Sequence, residues 1–230
     1  MSSSFSLPDL TPSWQETLGW QPTPEQQQQF QTLYDLILEG NQRLNLTRIL
    51  EPTDFWEKHL WDSLRGIKPF LATSHSASWK AIDIGTGAGF PGVPIALVRP
   101  EWSITLLDGT RKKIDFLRTL TEKLGLTNVQ ALHGRAEQVN QNKPQQNAYD
   151  LALLRAVGPV TECAQYALPF LKKNGVAVLY RGQWTAEETE TLETALDRLG
   201  GALESVDAFT TPLSHSIRHC LHIKKSRGQA

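Results

Sequence analysis

The stretch that most constrains this chain is "AIDIGTGAGFPGVPIALVRP", residues 81–100. An apolar run carrying Asp83 comes first, four glycines follow within the eight residues 85–92, and a second apolar run begins. That order reads as strand, tight turn and helix, a junction that aims backbone N–H groups and a helix N-terminus at a ligand. Glycine permits positive φ there and lets the main chain approach a ligand closely. Two ligands suit the turn. Read from Gly87, "GAGFPG" satisfies the G-x-G-x-x-G pattern of nicotinamide dinucleotide sites. Read from Asp83, the same residues form D-x-G-x-G-x-G with Gly85, Gly87 and Gly89, which suits S-adenosylmethionine.

The rest of the chain places this turn at the start of an alternating pattern. Strand candidates are "KAIDI", "SITLLD", "NVQALHG", "YDLALLRA", "GVAVLYRG", "GALESVDAF" and "RHCLHIKK", with helices expected over about 91–98, 111–124, 159–171 and 185–199. Alternating β and α units predict a parallel sheet covered by helices on both faces. Only "TTPLSHSI" separates the last two strand candidates, so they should pair antiparallel. The expected fold is a Rossmann-like α/β domain over 80–230, with a seven-stranded, mostly parallel sheet and an antiparallel last strand.

Residues 1–79 read as a helical extension. Its first dozen residues are polar and rich in Ser and Pro, which predicts fraying. Thr23-Pro24-Glu25 then signals a helix start, and Gly40-Asn41 its end. The stretch "PTDFWEKHLWDSL" would bring Phe55, His59 and Asp62 to one side of a second helix, and "KPFLATSHSASWK" reads as the junction to the sheet. Five of the seven tryptophans precede residue 80, so this part should pack on the remainder.

Three features favour S-adenosylmethionine over a dinucleotide. Asp83, at the strand end, suits the cationic amino group of a methionine moiety and would repel a pyrophosphate. Asp108 ends the second strand, where a carboxylate can accept from ribose hydroxyls. An antiparallel strand at the C-terminal edge is characteristic of methyltransferase sheets.

Composition narrows the remaining classes. No apolar run is long enough to span a membrane, and the N-terminus lacks a secretory pattern. Cys163 and Cys220 stand apart, which argues against zinc or a disulfide framework and fits a reducing cytoplasm. His215, His219 and His222 do not make a metal set, because His219 and His222 point to opposite faces of a strand. The net charge of −1 splits into −4 over 1–79 and +3 over 80–230, with basic groups at "RKK", "KK" and "KKSR" that could form a face for nucleic acid.

The ordered segments "NLTRI", "HLWDSL", "DIGTGAGFPGVPIALVRP", "LLDGTRKKIDFLR", "GRAEQ", "LLRAV" and "LYRGQ" resemble the RsmG family, also called glucose-inhibited division protein B, over about residues 25–225. The resemblance implies a class I methyltransferase that moves a methyl group from S-adenosylmethionine to N7 of a guanine in 16S rRNA. The substrate would be that rRNA or the small ribosomal subunit, met in the cytoplasm with no metal, the oligomeric state being open and a monomer favoured. It further implies that Gly85 and Phe90 contact the cofactor, that Asp108, Gly109 and Thr110 meet its ribose and adenine, and that Ala136 and Glu137 flank the adenine. Arg155 would face the methionine end and the methyl acceptor. Family members often carry lysine where this chain has Arg181, so Arg181 is read as a phosphate contact. Asn45 and His59 have plain readings as a turn residue and a packed core histidine.

Guanine N7 carries a lone pair and no proton, so such a transfer needs no general base, in keeping with a sequence in which no His–acid pair stands out. Three other readings remain open at this point: a methyltransferase of another RNA or a small molecule, a nicotinamide oxidoreductase, and a binding module without turnover.

Overall fold

The computed structural model describes residues 6–71 and 78–226. Residues 72–77 of the expected "KPFLATSHSASWK" junction fall outside these residues, as do the first five residues and the end of the basic tail. Helices α1 (Thr11–Leu18) and α2 (Pro24–Asn41) lead into α3 (Pro52–Phe55), a π-helical turn over Trp56–Trp61, α4 (Asp62–Arg65) and α5 (Lys68–Leu71). Then follow β1 (Lys80–Ile84), α6 (Gly92–Val98), β2 (Ser103–Asp108), α7 (Arg111–Lys123), β3 (Val129–His133), α8 (Ala136–Val139) and β4 (Tyr149–Arg155). The order closes with α9 (Val160–Ala167), β5 (Leu171–Arg181), α10 (Ala186–Leu199), β6 (Gly201–Thr210) and β7 (Ile217–Lys225).

The seven strands form one sheet in the order β3-β2-β1-β4-β5-β7-β6. The first five run parallel, and β7 lies antiparallel between β5 and β6. This is the expected seven-stranded arrangement. The central strands β1, β2 and β4 are largely apolar because both faces of the sheet are covered there, whereas the edge strands β3 and β6 have no buried residue. Alternation along each strand sorts side chains between two cores. Ala81, Leu106, Leu151, Leu153 and Val178 face α2, the π turn, α6 and α7, while Ile82, Leu107, Ala152, Leu154 and Leu179 face α9 and α10. The helices before residue 80 therefore share the first core: Phe30, Tyr34, Trp56, Leu60 and Trp61 are buried in it with the strand residues.

Two expectations about the outer elements are corrected. A helix not expected from the sequence, α1, begins at Thr11, just inside the end of the stretch expected to fray, and is held by Trp14, which is buried against Phe30 and Trp56. The helix expected over 159–171 stops at Ala167, a single 3₁₀ turn follows, and β5 begins at Leu171, paired with Tyr149 before a bulge. Both long helices with acceptor-rich starts are fixed by capping boxes, Thr23 with Gln26 and Thr185 with Glu188.

Buried polar groups pin the periphery. Lys225 sends its ammonium inward to Asn147 Oδ1 (2.7 Å), Leu168 O (2.8 Å) and Leu171 O (2.9 Å), so β7 is tied to the start of β5. Glu57, on the π turn, accepts from the backbone N–H groups of Leu213 (2.6 Å) and Ser214 (2.9 Å) in the β6–β7 connection. Arg65 pairs with Asp207 at 2.7 Å and lies over the Phe209 ring. Two parts of the N-terminal helices, the π turn through Glu57 and α4 through Arg65, thus reach the C-terminal hairpin directly.

Candidate active site at the β1–β4 switch point

Strand order reverses between β1 and β4, and a crevice opens at the C-terminal ends of neighbouring parallel strands at such a point. Gly85, Gly87 and Gly89 take φ values of 72°, 60° and 103°, the region that favours glycine. Gly85 is additionally pressed against Val157, whose Cγ2 would stand 2.8 Å from any Cβ added there. The Gly85 and Thr86 N–H groups both donate to Leu107 O, which seats the loop on the end of β2.

Asp83 points to the face occupied by α6. Its Oδ2 accepts from Thr86 Oγ1 (2.6 Å) and Gly92 N (2.8 Å), joining strand, loop and helix. A carboxylate at a strand end can also serve as a cap, and here Asp83 does so at the start of α6, a role that can coexist with ligand binding. The side chain is 1 % exposed, and its Oδ1 is buried without a hydrogen-bond partner. Burial raises its pKa to about 6, against the lowering effect of the Thr86 and Gly92 hydrogen bonds. Asp108 accepts from Gly87 N (3.0 Å) on one oxygen and from Thr110 N (2.7 Å) on the other. A carboxylate offers about four acceptor positions, so roughly two remain on Asp108.

A cavity of about 110 Å³ lies beside this loop, lined by Gly85, Asp108, Gly109, Ala136 and Glu137 among others. Five of the residues expected from sequence are thus brought to one place. Asp83, Gly87, Phe90 and Thr110 stand outside its walls, and so does Arg155, which lines the larger cavity described next. Val157 and Tyr166 line it too, and sequence reading named neither. Arg135, also in the wall, packs its side chain against Gly109.

On the other side of the switch point a larger cavity of about 390 Å³ is lined by Lys58, His59, Asp62, Arg155, Tyr180, Arg181 and Arg218, with Ile49, Ala156 and Gly182. Four cations and one carboxylate surround it. Arg155 shares a sheet face with Leu151 and Leu153, which turns it towards the π turn. Its Nη1 donates to Lys58 O (2.6 Å) and to Asp62 Oδ2 (3.1 Å), and its Nη2 lies 3.2 Å from His59 Nδ1. Arg181 donates to Gly158 O at 2.9 Å. His59 is a packed histidine, as its plain reading held: its ring stacks on Phe90 with centroids 4.2 Å apart, and its Nε2 lies 2.9 Å from Thr47 Oγ1. Asn45 is exposed two residues before that threonine.

Among the described residues no cluster of three or more His, Cys, Asp or Glu side chains could hold a metal, and no helix is long and apolar enough to cross a membrane. Cys163 and Cys220 are buried and unpaired, and burial pushes both thiols upward, Cys163 to about 11.

The donor set fits a bound S-adenosylmethionine. A buried carboxylate oxygen at Asp83 lacks a partner, Asp108 keeps acceptor capacity, and the glycine loop leaves the backbone bare beside the smaller cavity.

The family model described as GidB, rRNA small subunit methyltransferase G, matches residues 26–220. The chain belongs to this family. Among its relatives, a ribosomal RNA small subunit methyltransferase G from Nostoc punctiforme is 58% identical over 220 residues, covering 95% of this chain and 90% of the relative. A protein of the same name from Microcystis aeruginosa is 57% identical over 225 residues, covering 95% of this chain and 99% of the relative. Solved structures share the fold at lower identity. A SAM-dependent methyltransferase from Aquifex aeolicus superposes with a TM-score of 0.54 at 16% identity, over 74% of this chain and 92% of that one. M. jannaschii TYW2, solved in complex with AdoMet, gives 0.54 at 14% identity over 71% and 74% of the two chains. The rRNA small subunit methyltransferase G family is thus carried on a Rossmann-like methyltransferase sheet, as the sequence segments implied.

Proposed function

We propose that this protein transfers a methyl group from S-adenosylmethionine to N7 of a guanine in 16S rRNA, acting in the cytoplasm as a monomer on the small ribosomal subunit. When bound, the cofactor supplies a methyl group already activated on a sulfonium sulfur.

The chain's own residues then have binding and aligning tasks. Asp108 accepts from the ribose hydroxyls with its remaining lone pairs while holding Gly87, and Gly109 and Thr110 follow it along the same edge. Ala136 and Glu137 flank the adenine, and Asp83 Oδ1 accepts from the methionine ammonium. Gly85, Gly87 and Phe90 shape the loop between them. Arg155 positions the acceptor from the larger cavity, and Lys58, Arg181 and Arg218 meet phosphates. Alignment and proximity contribute about 7–11 kcal/mol in well-oriented systems.

The observation that carries the choice of acceptor is the engagement of His59. Both of its ring nitrogens face partners, Arg155 and Thr47, and the one carboxylate lining the larger cavity, Asp62, is paired with Arg155. An acceptor that must lose a proton before attack finds no unengaged base among these side chains. Guanine N7 needs none.

The test is transfer of tritium from labelled S-adenosylmethionine to small subunits from cells lacking the endogenous enzyme, beside naked rRNA and fully methylated subunits. Label confined to a single N7-methylguanosine in the unmethylated substrate is expected. Cofactor binding with no label on any RNA would overturn the reading in favour of a small-molecule acceptor.

A further inference from the structure

The π turn departs from regular helix at the point where it meets Arg155. Asp62 N–H bonds to Glu57 O, five residues back. In an α-helix it would bond to Lys58 O instead. That carbonyl accepts from Arg155 Nη1 at 2.6 Å. Insertions of this kind recur at functional sites. The same turn presents His59 edge-on to the guanidinium and face-on to Phe90, the bulky residue of the glycine loop.

The hydrogen bonds fix the imidazole's tautomer. A guanidinium has only donors, so Arg155 Nη2 donates and His59 Nδ1 accepts through its lone pair. The ring proton is then on Nε2, which donates to Thr47 Oγ1. Thr47 Oγ1 also accepts from Ile49 N at 3.0 Å, and Asn41 Oδ1 holds the N–H groups of Leu46 and Thr47. The tautomer is therefore set from behind by a loop anchored to α2. Burial, with the Arg155 and Lys58 charges, lowers the His59 pKa to about 3, so a second proton does not turn Nδ1 into a donor facing Arg155. The ring face packs parallel on Phe90 at an interplanar angle of 7°, and Phe55 closes the edge of both rings. The Arg155 guanidinium lies 5.6 Å from the centre of the same Phe90 ring.

We infer that His59 is a positioning residue for methyl transfer, its Nδ1 lone pair orienting Arg155 at the acceptor cavity while its ring face holds Phe90 and the cofactor loop. The inference rests on the proposed methyl transfer and assigns a division of labour within one side chain. The ring face serves the cofactor side, and the ring nitrogen serves the acceptor side. An aromatic that only filled the core would need neither the tautomer nor the guanidinium.

Two substitutions separate the two contacts. His59→Phe keeps a flat ring for Phe90 and removes the acceptor, whereas His59→Ala removes both. For His59→Phe we expect kcat on small subunits to fall by about tenfold or more while the Kd for S-adenosylhomocysteine stays within about threefold. For His59→Ala we expect that Kd to weaken as well. His59→Gln, whose side-chain carbonyl can accept from Arg155, should recover part of the kcat lost in His59→Phe. The effects of His59→Phe and Arg155→Lys should be less than additive.

A readout independent of turnover is ¹⁵N NMR of the cofactor-free wild type. The expected result is a neutral His59 ring carrying its proton on Nε2 at neutral pH. A ring protonated on Nδ1 would overturn the inference. So would a His59→Phe protein with wild-type kcat, or a loss of kcat in His59→Phe that His59→Gln shares in full at equal melting temperature. If the wild type itself labels no RNA, the proposed function fails on that result, and a His59 ring found neutral on Nε2 would leave the Arg155 contact standing.

Discussion

Asp108 holds the Gly87 N–H at 3.0 Å, so the carboxylate at the end of β2 and the glycine loop after β1 move as one piece. The expected ribose contact and the shape of the loop therefore depend on the same side chain. Asp108→Ala should weaken S-adenosylmethionine binding about 100-fold, which is about 2.7 kcal/mol. It should also lower the melting temperature, because two backbone N–H groups lose a charged acceptor. Calorimetric titration decides the point, and an affinity within threefold of wild type would remove the ribose role.

Asp83 and His59 should tilt stability against pH in opposite directions. Burial raises Asp83 from 3.8 to about 6. The folded state holds that proton more tightly, so this contribution is complete below the ordinary value and is lost as pH rises through about 6. At about 1.4 kcal/mol for each pH unit between the two values, the loss is roughly 3 kcal/mol. Burial and the nearby cations lower His59 from 6.5 to about 3. There the unfolded chain takes the proton first, so the contribution is complete above 6.5 and is lost as pH falls towards 3. Melting curves of the cofactor-free protein should show Asp83→Asn flattening the alkaline-side decline and His59→Phe the acid-side one. Unchanged slopes in both variants would refute the assignment.

Glu57 fastens the β6–β7 connection to the π turn, with its partners 156 and 157 residues away in sequence. Charge-assisted hydrogen bonds of this kind contribute about 1.5–3 kcal/mol each. Glu57→Ala should destabilise the fold by a few kcal/mol and speed hydrogen exchange at Leu213 and Ser214 before other sites. Exchange that accelerates uniformly would show that the contact is not local.

Arg181, with Gly158 O as one partner, keeps guanidinium donors for a phosphate. Arg181→Ala should raise KM for small subunits, reduce the slope of log affinity against log salt by about one, and leave cofactor affinity unchanged. A salt slope equal to wild type would take Arg181 out of the RNA interface.

The central strands were legible as apolar runs bounded by turn residues, the exposed edge strand β6 from its place before the final strand, and the glycine loop because its spacing has few uses. Other features left weaker marks. In α1 only Trp14 and Leu18 are buried, among polar neighbours, so the periodicity is two residues long. Nothing in "WEKHLW" separates a π turn from an α-helix, and the partner of its displaced Lys58 carbonyl is Arg155, nearly a hundred residues later. Glu57 reads as a solvated helix acid until its distant N–H partners are known. Asp83 was found as a loop carboxylate, but its hold on Gly92 N–H depends on how α6 starts in space. Periodicity reports which face is buried and is silent about the polar group waiting there.

The place of β7 between β5 and β6 has a consequence for biosynthesis. As the polypeptide leaves the ribosome, β6 emerges before β7, the strand it pairs with among the described residues. Until Ile217–Lys225 has been made, β5 exposes a bare edge and β6 has no seat in the sheet. The Lys225 ammonium, reaching back to Leu168 and Leu171, then acts as a latch that registers the late arrival. An enzyme whose proposed substrate is a ribosomal subunit thus cannot complete its sheet while its own β7 is still inside a ribosome.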